Sequence, residues 1–151
     1  MKDKVRVAVL FGGQSSEHEV SRTSARSVLE NLDDEKYEIL PVGITKNGEW
    51  LPYRGEYKYI ETGEWEEQAK NEFGKSHEHI RKALPSVKNF VEEVCGGTVD
   101  IVFPLLHGTN GEDGSIQGLL ELAGIPYVGC NILSSAVGMD KAVSKVLFEH
   151  A

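Results

Sequence analysis

Apolar residues along the chain fall into blocks whose period alternates between that of a buried strand and that of an amphipathic helix. Val5 to Phe11 is a nearly unbroken apolar run ended by Gly12-Gly13, the pattern of a strand buried on both faces of a parallel sheet. Ser16 with Glu19 fits a capping box, and Val20, Ser24, Val28 and Leu32, joined by Ala25 and Leu29, mark one helical face up to Asp33-Asp34. Tyr37 to Ile44 predicts a second strand. Asn47-Gly48, between Thr45 and Trp50, predicts a two-residue hairpin turn into Glu49-Trp50-Leu51. Gly55 to Lys75 is polar, with Tyr57, Tyr59, Trp65 and Phe73 at no clean period, and reads as an irregular excursion. After Pro85-Ser86, Val87, Phe90, Val91 and Val94 fall at helical spacing, and Gly96-Gly97 stops the helix. Val99 to Leu106 predicts the third main strand, and Ile116, Leu119, Leu120 and Ala123 a helix closed by Gly124. Ile125 to Gly129 reads as a short further strand, and a last helix runs from about Asp140 to His150.

Strands alternating with helices imply right-handed crossovers and an α/β fold: a small doubly wound, mostly parallel sheet with helices on both faces. The 151 residues suffice for one domain with a continuous core. The chain stops while still helical, at Phe148-Glu149-His150-Ala151, which predicts that it is cut from something longer.

Charge and cysteine content narrow the class. A net charge of -8 without clustered Lys and Arg argues against a nucleic-acid surface. The hydrophobic 40% comes in interrupted blocks, none near the ~20 apolar residues a membrane helix needs. Met1-Lys2-Asp3-Lys4 runs straight into a strand pattern, and Cys95 and Cys130 show neither metal spacing nor scaffold density. A soluble cytoplasmic protein with reduced thiols is expected.

Two glycine-rich loops carry the candidate chemistry, Gly12 to Ser21 and His107 to Gly114, each following a strand and opening a helix. In an open α/β sheet, ligands collect beyond the carboxyl ends of strands where connections leave on opposite faces, so Glu17 and His107 are expected to face each other. The first loop offers N–H groups at a helix start, and Glu17 there suits a substrate ammonium. Equally, Glu17 and Glu19 suit a helix dipole. The loop has neither the Lys-Ser/Thr ending of a P-loop nor the full dinucleotide pattern. His107 can donate to a substrate carboxylate or a developing negative charge, or simply seal its loop. Glu112 and Asp113 read as loop-shaping acids that accept from backbone N–H groups. Glu17-His18-Glu19 and His77-Glu78-His79 match no metal pattern, nor does His150, so no metal site built by this chain alone is expected. By itself, Lys141 reads as a solvated lysine.

Taken together, Phe11-Gly12-Gly13-Gln14-Ser15-Ser16-Glu17-His18-Glu19-Val20-Ser21 and His107-Gly108-Thr109-Asn110-Gly111-Glu112-Asp113-Gly114-Ser115-Ile116-Gln117-Gly118 closely resemble the two amino-terminal signatures of the D-alanine–D-alanine ligases. Gly124 to Gly129 and the tract from Leu133 to Lys141 resemble that family as well. The resemblance implies a pre-ATP-grasp, Rossmann-like domain at 1–130 that binds substrate, and a linking helix at 131–151 leading into an ATP-grasp domain. It implies an ATP-dependent ligase of peptidoglycan precursor synthesis and cell-wall biogenesis, acting through an acyl phosphate. It further implies ATP with Mg²⁺ (or Mn²⁺), D-alanine as small-molecule substrate, and a homodimer. Carried over, Glu17 holds the ammonium of the first D-alanine with Ser16 and Gly108 beside it, Val20 packs near its methyl, His107 bonds near its carboxyl, and Lys141 reaches ATP phosphates. Family members run about twice the length of one ordinary domain, and the acids that bind the metal lie in the remainder. The chain by itself is therefore expected not to catalyse ligation. A D-alanine–D-lactate ligase and a free-standing small-molecule-binding module are the alternatives.

Overall fold

In the computed structural model, residues 4–73 and 87–151 are described; Pro85, Ser86, His77 and His79 lie outside them, as do the side chains of Val87 and Phe90. Strand β1 (Val5–Gly12) leads through helix α1 (His18–Leu29) to β2 (Tyr37–Ile44) and β3 (Trp50–Pro52). Helices α2 (Lys58–Thr62), α3 (Trp65–Phe73) and α4 (Val87–Val94) precede β4 (Ile101–Pro104), and α5 (Ser115–Ala123), α6 (Ile132–Met139) and α7 (Lys141–His150) complete the chain. The strands form one sheet in the order β3-β2-β1-β4. β1 pairs in parallel with β2 and β4, and β3 is antiparallel on β2. The mostly parallel α/β sheet expected from the sequence is present.

β1 alternates its side chains between two cores, as the period of a strand requires. Ala8 and Leu10 join Val42, Ile44, Val91, Val94, Val102 and Leu120 on one face. Val7, Val9 and Phe11 join Ala25, Leu29, Ile60, Trp65 and Ala69 on the other. Helices α4 and α5 thus cover one face, and α1 to α3 the opposite one. The buried stripe of α1 is His18, Ser21, Ala25 and Leu29, whereas Val20 is 52% exposed. The expected face through Val20, Ser24, Val28 and Leu32 is thus rotated, because Ala25 and Leu29 meet the sheet squarely and carry the polar His18 and Ser21 in with them.

The excursion expected at Gly55 to Lys75, of which Gly74 and Lys75 lie outside the described residues, holds structure up to Phe73 that its polarity concealed. Its apolar anchors Ile60, Trp65 and Ala69 are the buried residues of two helices of five and nine residues, too few among polar neighbours to mark a stripe. Trp65 is fully buried, edge-on to Phe11 with ring centroids 4.9 Å apart. Gly43 of β2 makes this possible, since a Cβ there would overlap the indole ring.

Other boundaries shift for identifiable reasons. The hairpin turn spans Thr45 to Gly48, with Gly48 N–H donating to Thr45 O at 3.0 Å and Gly48 at φ +82. Buried Thr45 accepts the Glu49 N–H on Oγ1 at 3.1 Å, which adds a residue to the expected two-residue loop. β4 is shorter than Val99–Leu106. Ile125–Gly129 forms a single bridge, Val102 to Tyr127, because Pro126 has no N–H to extend a ladder. The expected linking helix is two helices: Asp140 leaves helical geometry, and its Oδ1 accepts from the N–H groups of Ala142 and Val143 at 3.0 Å, capping α7. Cys95 and Cys130 are free thiols, and burial pushes the Cys95 thiol up to about 12.

Trp65 is the largest fully buried side chain among the described residues. Trp65→Ala is expected to cost about 3–5 kcal/mol, read as a lowered midpoint in urea unfolding.

Candidate functional site

The carboxyl ends of β1 and β4 lie side by side, and the chain leaves them on opposite faces, through α1 on one side and α5 on the other. This is the topological switch point where a crevice opens in such sheets. Both motif loops are therefore placed at one site by the strand order itself.

Residues of α1 hold the two loops together. The Ser21 hydroxyl accepts from Gly12 N–H at 2.8 Å and donates to the carbonyl of Leu105, across 84 positions of sequence. Ser21 has no exposed surface, and His18 beside it is also buried, with Nδ1 2.8 Å from Gly13 O. Gly12 is at φ +86, and a Cβ there would meet Ile44 O and the His18 ring. Neither Ser21 nor His18 stands out in the sequence as a structural tie. The available signal was their spacing: three residues apart, and in line with Ala25 and Leu29.

The expected capping box does not form. Glu17 occupies the N-cap position without a side-chain cap bond. Ser15, rather than Ser16, turns its hydroxyl onto the backbone, accepting Glu17 N–H at 3.1 Å. Glu19 pairs with Lys46 of the hairpin at 2.6 Å, and that hydrogen bond holds its carboxyl below the usual range.

The Glu17 carboxylate is left exposed and turned toward the second loop. A Cβ built on Gly108 would lie 2.5 Å from Glu17 Oε2 and 2.8 Å from Ser15 Oγ. Gly108, at φ +68, is thus the point where the loops touch, one residue from His107. The His107 ring is half-buried, with Nε2 3.1 Å from Ser24 Oγ and Nδ1 3.8 Å from Glu112 Oε1.

Glu112 and Asp113 shape the second loop, as their flanking glycines suggest. Glu112 Oε2 accepts Gly108 N–H at 2.8 Å. Asp113 accepts Asn110 N–H at 2.8 Å and Ser115 N–H at 3.0 Å. Burial draws the Asp113 carboxyl upward, but these N–H groups outweigh it and leave the group below its ordinary 3.8. Asn110, at φ 65, reaches back to Gln14 O with its amide at 3.3 Å.

Beside the contact lies a cleft of about 210 Å³ whose walls include Gly13, Trp50, Leu106, His107, Asn110 and Ile116. Its size suits a small molecule with one apolar side. His107 is on its wall; Glu17 and Val20 are not. Lys141 stands apart on α7, beside a shallow hollow shared with Lys145 and Phe148. A larger hollow of about 770 Å³ lies near Arg6, Glu38 and Cys95, at the amino ends of the strands, and holds no motif residue. Among the described residues, no three His, Cys, Asp or Glu side chains converge as a metal site, and no helix is long and apolar enough to cross a membrane.

Glu17 and His107 thus stand on two touching loops at the switch point of an open α/β sheet, the layout of a candidate small-molecule site. Residues 6–130 match the family model described as D-ala D-ala ligase N-terminus, and the chain belongs to that family. A D-alanine--D-alanine ligase of Ruminiclostridium cellulolyticum is 55% identical over 97% of this chain and 40% of its own length. The crystal structure of VanG D-Ala:D-Ser ligase from Enterococcus faecalis superposes with a TM-score of 0.77 at 42% identity, over 97% of this chain and 42% of that one. A D-alanine--D-alanine ligase from Bacillus anthracis complexed with ATP gives a TM-score of 0.62 at 30% identity, over 99% of this chain and 35% of its own. The chain thus spans about two-fifths of the length of the curated relatives it matches.

Two outcomes test this frame. Ser21→Ala leaves Gly12 N–H and Leu105 O buried without their partner, and is expected to cost about 1–3 kcal/mol in denaturant unfolding. Asp113, with its folded value depressed, stabilises the loop fully above 3.8 and loses that contribution as pH falls through the folded value. Amide exchange at Asn110 and Ser115, corrected for its intrinsic pH dependence, should accelerate in that window; Asp113→Ala should make it fast at every pH.

Proposed function

We propose that this chain is the amino-terminal, substrate-binding part of an ATP-dependent D-alanine–D-alanine ligase, and that it receives the first D-alanine between the two motif loops. The observation that carries the reading is the contact at Gly108, which sets the Glu17 carboxylate one residue from the His107 imidazole. An α-amino acid presents an ammonium and a carboxylate on one carbon, and an acid beside an imidazole meets both. Glu17 takes the ammonium, His107 bonds near the carboxyl, and Val20, exposed and three residues after Glu17, receives the methyl. Ser16 and Gly108 border the same space. Residues 1–130 act as this binding unit, and 131–151, none of whose α6 and α7 residues is buried, link it to the remaining length of the relatives.

In the complete enzyme, the carboxylate oxygen of the first D-alanine takes the terminal phosphoryl group of ATP, giving an acyl phosphate and ADP. The amine of the second D-alanine then attacks the acyl carbon, phosphate leaves, and the amine proton passes to solvent. What these loops contribute is orientation of the first substrate, and a donor where negative charge develops on the acyl oxygen. ATP and Mg²⁺ (or Mn²⁺) are part of this proposal for the whole protein. The residues described here do not build their site: Lys141 stands alone on an exposed helix start, and no acid cluster accompanies it. Lys141 is proposed to contact ATP phosphates only together with the rest of the enzyme. A cytoplasmic homodimer making a peptidoglycan precursor completes the reading. The likeness to a D-Ala:D-Ser ligase favours testing D-serine beside D-alanine and D-lactate as second substrate.

The complete protein carrying this chain should release phosphate from ATP only when D-alanine is added, and the 151-residue chain alone should release none. Glu17→Gln removes the charge partner of the ammonium, a bond worth about 1.5–3 kcal/mol. D-alanine binding by calorimetry should therefore weaken roughly tenfold or more. Unchanged affinity in that variant, or phosphate release indifferent to D-alanine, would sink the proposal.

A further inference from the structure

We infer that Ser24 is a positioning residue for His107, and that its hydroxyl fixes which ring nitrogen carries the proton. The inference rests on the reading of His107 as a substrate-binding group and deepens it.

Each neighbour of the ring limits which nitrogen can carry the proton. Glu112 lies on the Nδ1 side, 3.8 Å away, and is held there by its second oxygen, which accepts Gly108 N–H at 2.8 Å. An ionised carboxylate only accepts. A bare Nδ1 lone pair would face a fixed negative charge, so the neutral ring keeps its proton on Nδ1. Nε2 is then the lone-pair side and needs a donor. The group present is Ser24 Oγ, at 3.1 Å, and a hydroxyl is able to donate. Glu17, the other charged group near Gly108, is likewise an acceptor and cannot replace it.

Position on α1 makes the hydroxyl dependable. Ser24 lies one turn after Ser21, whose own hydroxyl ties the helix to Gly12 and Leu105. The helix that closes the frame of the site therefore also presents the donor to the imidazole. A flip of the ring would break the Ser24 bond and turn the lone-pair nitrogen toward the Glu112 charge. A ligand carboxylate approaching Nε2 must take the place of the serine hydroxyl, or meet a ring that has gained a second proton with Ser24 turned to accept. Either way, Ser24 governs how His107 meets its ligand without touching the ligand itself.

The test uses the ¹⁵N-labelled 151-residue chain. Long-range proton–nitrogen correlation spectra, recorded above the imidazole range at about pH 8.5, report which ring nitrogen is protonated, and His107→Gln identifies the His107 signals among the five histidines. The wild type is expected to show Nδ1 protonated and Nε2 unprotonated. Ser24→Ala should lower the tautomer ratio roughly fivefold, the effect of one neutral hydrogen bond, and Ser24→Thr, which keeps the hydroxyl, should restore it. A wild-type ring protonated mainly on Nε2, or a ratio unmoved in Ser24→Ala, overturns the inference. If Ser24→Ala does not fold, the wild-type tautomer and the Ser24→Thr spectrum still decide. D-alanine plays no part in these spectra, so a failure of the ligase reading shows separately, as absence of D-alanine binding by an otherwise unchanged wild type.

Discussion

The site depends on one buried hydroxyl. Strand order brings the ends of β1 and β4 next to each other, but adjacent strand ends do not by themselves fix the loops that leave them. Ser21 accepts from the end of one strand and donates to the end of the other. It does so from a helix pinned to the sheet by Ala25 and Leu29. A neutral group serves this purpose well. An ionised side chain in the same fully buried position would carry a desolvation cost of several kcal/mol, whereas a hydroxyl satisfies two backbone groups and leaves no charge behind.

Carboxylates divide the remaining work. Glu112 and Asp113 are spent on backbone N–H groups of their own loop, and Glu19 on Lys46. Glu17 is different. It sits at the helix start without a cap bond and lies against a glycine of the opposite loop. Loops rich in acids often resist simple assignment of which acid meets a ligand. Here the hydrogen bonds sort them, and the negative field of the other acids comes with its compensating donors attached.

Much of this was legible in the sequence, and the failures are informative. β1 was readable because burial on both faces leaves a continuous apolar run. The two loops were readable because glycines at strand ends are costly unless the backbone needs them, as at Gly12 and Gly108. Trp65 was missed because α2 and α3 bury only Ile60, Trp65 and Ala69 among polar residues, too few anchors to mark a stripe. The empty place it fills, at Gly43, is a missing side chain twenty-two residues away in sequence. The capping box failed because Ser15, one residue earlier than expected, took the backbone N–H. Ser21 and His18 were missed because a polar residue on an amphipathic stripe reads as an interruption, when here it is the reason for the stripe's position.

The glycine at 108 carries a consequence for how the protein can change. A side chain there strikes Glu17 and Ser15, just as one at Gly12 strikes Ile44 O and His18. Substitutions in one loop are therefore felt in the other, and their energies should not add as those of distant sites do. The two loops form a single hereditary unit despite the 85 residues between them. Drift that is harmless on the outer faces of α5 or α3 is barred here unless both partners move together, so variation in this fold is expected to collect on those outer faces rather than along the seam where the two strand ends meet.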